Sequence, residues 1–305
     1  MLSWFNRKQR VIDGQTSQWR SIDAGVPQGS VLGPLLFLIY INDITNDLES
    51  DCLLYADDTS LFDIVDSPDV SSTKLNNDLH KIDNWARRWL VTINPIKTVC
   101  ITFSVKRFKP YHADLFFEGK KIVEVSQRTH LGVTLSSNLF WRAHILGIYE
   151  KTNRRLNLFK GIQYKVSRET LNKLYRSLIR PLMEYADSLW DGCTDTESDH
   201  LESVQYEAAK VVTDAMKGTS RRNLMQEIGW EDMKTRCSIH KMTLYFKIFK
   251  NLVPNYLKEL LPSRVFERSH YSLRNFSDYS LFVARTERFK KSFFHLRLNC
   301  GTILI

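Results

Sequence analysis

Two adjacent carboxylates, Asp57 and Asp58, stand in Tyr55-Ala56-Asp57-Asp58 between two β-prone runs, Cys52-Leu-Leu-Tyr-Ala and Ser60-Leu-Phe-Asp-Ile-Val. This order predicts a hairpin with the pair at its tip. In-line phosphoryl transfer needs charge neutralised by two metal ions, which carboxylates on a rigid platform hold roughly 4 Å apart. Adjacent aspartates at a strand-to-strand turn suit that chemistry, because the apolar flanks anchor the strands and the turn presents a carboxylate outward. A solvated turn explains the same residues, since aspartate is ordinary turn chemistry.

A second element precedes it. Gly25-Val26-Pro27-Gln28-Gly29-Ser30-Val31-Leu32-Gly33-Pro34-Leu35-Leu36 is a loop punctuated by glycine and proline that leads into an apolar run. Gly29 and Gly33 would let a nucleotide or template base come close to the backbone, and Gln28 could bond a base edge or sugar. Ser30 can cap a helix running to about Leu48, with Pro34 in its first turn, where a missing donor costs little. A plain loop and helix start would account for the glycines, but not for the order of the residues.

The surrounding elements must hold these two in place. Asp13-Gly14 favours a tight hairpin between Arg10-Val-Ile and Gln18-Trp-Arg-Ser-Ile. Leu75, Leu79, Ile82, Trp85, Ala86 and Trp89 recur at helical spacing, which predicts a helix from about Val70 to Val91, ended by Pro95. Strands are expected over Thr98 to Val105, Ala113 to Phe117, Lys121 to Val125 after a Glu118-Gly119 turn, and Leu131 to Leu135. Such a mixture argues for packed layers of helix and strand.

After about Ser137 the periodicity is helical only. One stripe joins Ile145, Ile148, Tyr149, Thr152, Leu156 and Phe159. A second joins Leu171, Leu174, Tyr175, Leu178, Leu182, Tyr185 and Leu189, with a bend at Pro181. Leu201, Val204, Ala208, Val211 and Ala215 form a third, and Met233, Cys237, Leu244, Tyr245 and Ile248 a fourth. Beyond Pro262 the chain is basic and weakly periodic.

The chain has 305 residues, 43% of them apolar, enough for ordinary cores. The longest apolar stretch, Val31 to Ile41, is too short to span a bilayer and reads as a buried helix. No cleavable leader pattern opens the sequence, so an intracellular, non-secreted protein is expected. The five cysteines are far apart and form no Cys-x-x-Cys pair, which predicts reduced thiols and no zinc. Charge divides the chain. Residues 1–135 hold 15 Lys and Arg against 16 Asp and Glu, a net −1, whereas 136–305 hold 28 against 18, a net +10. A basic half suits a polyanion; it also suits a merely solvated surface.

Gly25-Val-Pro-Gln-Gly-Ser-Val-Leu-Gly-Pro-Leu-Leu-Phe, Tyr40-Ile-Asn-Asp-Ile and Tyr55-Ala-Asp-Asp together resemble the palm of reverse transcriptases from non-LTR, LINE-type retrotransposons of the jockey-like branch. Downstream segments follow in the same order. Trp89-Leu-Val-Thr-Ile-Asn-Pro-Ile-Lys-Thr is similar to that family's fourth palm motif. His130-Leu-Gly-Val-Thr-Leu, with Trp141 and His144, is similar to its primer grip. Leu174 to Tyr185, with Trp190, is similar to its helical thumb.

The resemblance implies an α+β fold: a partial palm at residues 1–136, an antiparallel sheet with packed helices, then an all-helical thumb-like region at 137–262 and a basic tail at 263–305. It implies RNA-directed DNA polymerisation on an RNA template and DNA primer with deoxynucleoside triphosphates. No membrane is involved, and retroelement RNA is a natural partner. Asp57 would bind a two-metal Mg²⁺ site with Asp58 supporting it, and Lys97 would stabilise the departing pyrophosphate. Pro27, Gln28, Gly29, Ser30, Tyr55 and Ala56 would meet template or nucleotide, and Leu131 and Gly132 the primer end.

The chain also departs from the pattern. The family's other metal-binding aspartate lies upstream of the Gly-Val-Pro-Gln-Gly segment, together with the fingers, and nothing among the 24 residues before Gly25 resembles it. After Ser292-Phe-Phe the ending differs from the family's Trp-Asn segment. An incomplete metal cage predicts that this chain does not polymerise alone. Two rivals remain: a non-catalytic nucleic-acid-binding remnant using the basic helical half, and an RNA-templated RNA polymerase, which shares the paired-aspartate hairpin.

Overall fold

The computed structural model describes residues 7–8, 11–21, 29–106 and 111–259. The described residues divide between two compact units, one within 1–102 and 111–124, the other within 103–106 and 125–259. Both helix and strand are present, as an α+β chain requires. The described strands pair two by two, in six small sheets rather than one continuous antiparallel sheet.

In the first unit, β1 (Arg7–Lys8) pairs with β4 (Arg20–Ser21), and β2 (Val11–Ile12) with β3 (Gln15–Thr16), around the Asp13-Gly14 turn. Both turn residues have positive φ, 49° and 76°, as a two-residue hairpin of this kind demands. Helix α1 covers Leu32–Ile41 and stops well short of Leu48. Ser30 Oγ accepts from the Gly33 amide at 3.0 Å, so the expected cap is in place. Past Ile41 the chain makes four-residue turns, Ile44 N–H to Ile41 C=O and Asn46 N–H to Asp43 C=O. The expectation of a buried helix does not hold: only Gly33 and Ile41 are buried, and Leu32, Leu35, Leu38 and Ile39 face outward. Contact with the core is made from its C-terminal turns, through Phe37 and Ile41.

Strands β5 (Asp51–Tyr55) and β6 (Asp58–Phe62) are followed by α2 (Pro68–Arg88), whose Leu75, Leu79, Ile82 and Ala86 are buried as their spacing predicts. Pro95 does not end this helix. Leu90 takes a positive φ of 55°, its N–H bonds Arg87 C=O, and the Val91 N–H bonds Ala86 C=O. That is a Schellman ending with leucine where glycine is usual. Short strands complete the unit: β7 (Val99–Cys100), β8 (Phe116–Phe117), β9 (Lys120–Lys121) and β10 (Val123–Glu124). β8 and β9 form the hairpin expected at Glu118-Gly119, while β7 pairs in parallel with β10. The core joins Ile41, Ile44, Leu61, Leu75, Ile82 and Phe117.

The second unit opens with the hairpin β11 (Gln127–His130) and β12 (Val133–Ser136). Leu131 and Gly132 are its turn, with φ 46° and 80°, not the start of a strand. Helices follow: α3 (Arg142–Ile162), α4 (Arg168–Leu174), a π-helical turn at Tyr175–Ile179, α5 (Arg180–Glu184), α6 (Asp187–Trp190), α7 (Asp195–Thr213), α8 (Arg221–Ile228), α9 (Met233–Phe249) and α10 (Asn255–Lys258). Thr194 and Glu197 form a capping box on α7.

The second stripe runs differently from its sequence reading. Leu171, Tyr175, Ile179 and Met183 are buried, whereas Leu178, Tyr185 and Leu189 are exposed. On a regular helix, steps of four residues drift by about 40° each, so this row would wind away from the core. The π turn, closed by the Arg180 N–H on Tyr175 C=O just ahead of Pro181, takes up the drift. The core also contains a satisfied polar cluster. Arg236 donates to Glu184 and to Gln205 Oε1, the latter at 2.7 Å, and Tyr175 Oη donates to the same oxygen at 2.9 Å while its ring stacks on Trp230 at 3.8 Å.

Candidate functional site

The β5–β6 register sets Tyr55 opposite Asp58, Leu54 opposite Thr59 and Cys52 opposite Leu61. Opposed residues share a face, so Cys52, Leu54 and Leu61 anchor the hairpin in the core while Tyr55 and Asp58 share the other side. The two-residue turn is therefore Ala56-Asp57. Asp58 is the first residue of β6 rather than part of the tip, because it pairs with Tyr55. Ala56 has φ 51°, a left-handed value that a two-residue hairpin normally gives to glycine. Tyr55, Ala56, Asp57 and Asp58 are all exposed.

What holds this hairpin in place escapes a reading of the sequence. Asp78, on α2 with its side chain fully buried, accepts from the Glu49 amide at 3.0 Å and the Ser50 amide at 2.7 Å, and from Lys81 Nζ at 3.1 Å. Burial alone would push its carboxyl up, but these donors hold it below the ordinary aspartate value. It thus fixes the chain immediately before β5. The available signal is a charged residue inside an apolar helical stripe. Burial, and then Asp78, push the Cys52 thiol up to about 11, so this cysteine stays protonated. Asp43, within Tyr40-Ile-Asn-Asp-Ile, accepts from Trp85 Nε1 at 2.8 Å, and Tyr40 Oη donates to Trp89 C=O. That motif therefore ties the end of α1 to α2.

Gly29 is exposed with φ 83°, and a Cβ there would meet nothing within 4 Å. Its glycine answers to backbone conformation rather than to a close approach within the protein. Ser30 is spent on the α1 cap. Pro27 and Gln28 lie outside the described residues. Lys97 sits in an exposed turn shaped by Asn94, whose Oδ1 accepts from the amides of Ile96 and Lys97 at 3.0 and 3.3 Å.

In the second unit, Leu131 and Gly132 are braced by Tyr185, whose hydroxyl donates to Leu131 C=O at 2.8 Å. His144, buried against Trp141 and Trp190 with centroids 6.2 Å away, accepts at Nδ1 from the Thr134 amide at 3.2 Å. Burial, then Lys151, lower its pKa to about 4. It is a neutral strut between α3 and the hairpin.

Two carboxylates at one hairpin are a partial donor set. Among the described residues no group of three or more histidines, cysteines, aspartates or glutamates could hold a metal ion. Nor is any described helix long and apolar enough to cross a membrane.

Residues 1–135 match the family described as reverse transcriptase (RNA-dependent DNA polymerase). Among curated proteins, a probable RNA-directed DNA polymerase from transposon BS of Drosophila melanogaster is 25% identical over 260 residues, covering 82% of this chain and 29% of that protein. An RNA-directed DNA polymerase from mobile element jockey of Drosophila funebris is 30% identical over 226 residues, 68% of this chain and 24% of its own length. A probable RNA-directed DNA polymerase from transposon X-element of Drosophila melanogaster is 28% identical over 206 residues, 63% and 22% respectively. The chain spans less than a third of the length of these relatives.

Proposed function

The chain carries a reverse transcriptase domain of the non-LTR retrotransposon kind, and from that premise we propose that the Tyr55–Asp58 hairpin is the carboxylate-bearing part of a polymerase palm spanning residues 1–136. The observation that supports this most is the hairpin itself: adjacent exposed aspartates on strands anchored in the core, within the stretch that matches the family. The reaction is RNA-directed DNA synthesis on an RNA template and DNA primer. Asp57 is the principal metal-binding carboxylate and Asp58 its neighbour. Gly29 and Ser30, with Pro27 and Gln28, border the template or nucleotide, Lys97 counters charge on the departing pyrophosphate, and Leu131-Gly132 holds the primer end. Residues 137–262 serve as the thumb and 263–305 as a basic tail.

Reverse transcriptases generally use divalent metal. Among the described residues two aspartates do not complete a cage for a metal pair, and on that reading the chain does not polymerise alone. Titration with Mn²⁺, followed by paramagnetic broadening of backbone resonances, should show weak binding confined to residues 55–58 and lost in Asp57→Asn. Broadening elsewhere, with 55–58 unaffected, refutes the assignment. Primer extension on an RNA template should give no product; extension that Asp57→Asn abolishes would overturn the claim of inactivity.

A further inference from the structure

Helix α9 turns an apolar face to solvent. Met233, Cys237 and Ile248 bury one side, while Ile239, Met242 and Phe246 follow each other at three- and four-residue steps on the other. Met242 and Phe246 are 65% and 55% exposed. A shallow groove of about 810 Å³ runs along them, lined also by Lys234, Thr235, Ser238 and Thr243. The charge along the helix itself has one sign. Met233–Phe249 contains no acidic residue. Arg236 is engaged internally with Glu184, and Lys241 pairs with Asp191, which leaves Lys234, Lys247 and Lys250 on the exposed surface. Asp232, at the groove's end, is committed to the helix cap, where it accepts from the Thr235 amide at 2.7 Å. Lys250 Nζ lies 5.9 Å from the Phe246 ring centroid and 5.8 Å from that of Phe249, an ammonium beside two aromatic faces.

We propose that this face of α9 is a platform for single-stranded nucleic acid. Bases pack on Phe246 and Met242, and the phosphates run between Lys234 and Lys250, about 24 Å apart along the helix. A purely apolar partner helix would explain the stripe, but not lysines at both of its ends with no carboxylate between them. The surface lies beyond residues 1–135, the stretch that the family model matches, and it rests on the polymerase reading only for the choice of ligand.

Fluorescence anisotropy with a short fluorescein-labelled oligouridylate tests it on the full chain. Phe246→Ala should weaken binding by about tenfold or more. Lys250→Gln should weaken it too and reduce the slope of log affinity against log salt by about 0.7. Cross-linking of 4-thiouridine should fall on the peptide containing Phe246, which gives a readout without substitution. Unchanged affinity in Phe246→Ala with cross-links elsewhere overturns the platform and leaves the hairpin assignment standing. A dimer in solution that Phe246→Ala dissolves would overturn it as well, because a second copy would then be the occupant.

Discussion

The Tyr185 hydroxyl bonds the Leu131 carbonyl at 2.8 Å, and the edge of its ring lies 3.2 Å from where a Cβ on Gly132 would stand. A turn at the start of the helical unit is thus closed by a side chain 54 residues further on. Two penalties meet at Gly132→Ala, a strained positive φ and a close approach to the ring, so it should cost about 1–3 kcal/mol. Tyr185→Phe removes one hydrogen bond and should cost about 0.5–1.5 kcal/mol. Urea unfolding of both variants checks the order, which reverses if the glycine is there only by chance.

Asp78→Asn keeps the shape of the side chain but removes the charge that two amides and Lys81 share, and should lower stability by about 1.5–3 kcal/mol. The wild-type carboxyl titrates below its ordinary value, so its contribution is complete above the unfolded pKa of about 3.9 and fades as pH falls through the folded value. The gap between wild type and Asp78→Asn should therefore be flat from pH 7 to about 5 and close in stronger acid. A gap that widens on acidification contradicts this.

His144 acts in a different window. Its folded pKa of about 4 lies below the unfolded value of about 6.5, so between these the unfolded chain binds the proton and the folded chain does not. Stability should fall as pH drops from about 6.5 to 4, and His144→Asn should remove that slope. An imidazole that titrates near 6.5 by NMR in the folded protein would contradict the assignment.

Leu90→Gly should stabilise the protein by about 0.5–1 kcal/mol. Leu90 is 91% exposed and holds the left-handed position of the Schellman ending, where a Cβ brings strain and little packing. A loss of stability would mean that the side chain packs on something after all.

Where glycine marks a turn, the sequence is readable, and the hairpins at Asp13-Gly14 and Glu118-Gly119 lie where their dipeptides put them. Leu90 and Ala56 take left-handed conformations with nothing in their side chains to announce it, so α2 ends at Arg88 rather than near Val91 and the hairpin turn falls at Ala56-Asp57, one residue before the expected tip. Leu131 reads as a strand residue for the same reason, although it turns. Burial on α2 is legible because its stripe has one period. On α1 it is not, since a helix apolar on every side has no preferred face and composition alone suggests burial. Asp57 and Asp58 stand out through their chemistry, whereas Asp78, which secures the chain leading to them, carries no motif of its own.

The π turn can also be understood as a matter of counting. Between Tyr175 and Arg180 the backbone ring holds one residue more than a regular turn would, and this surplus sets the azimuth of everything C-terminal to it. Removing one residue from that ring would return the segment to ordinary winding and rotate Tyr185 by about 100° about the axis. The hydroxyl would then swing away from Leu131, so the phase of one helix, by way of a single extra residue, fixes the brace on a hairpin that was folded from sequence far upstream.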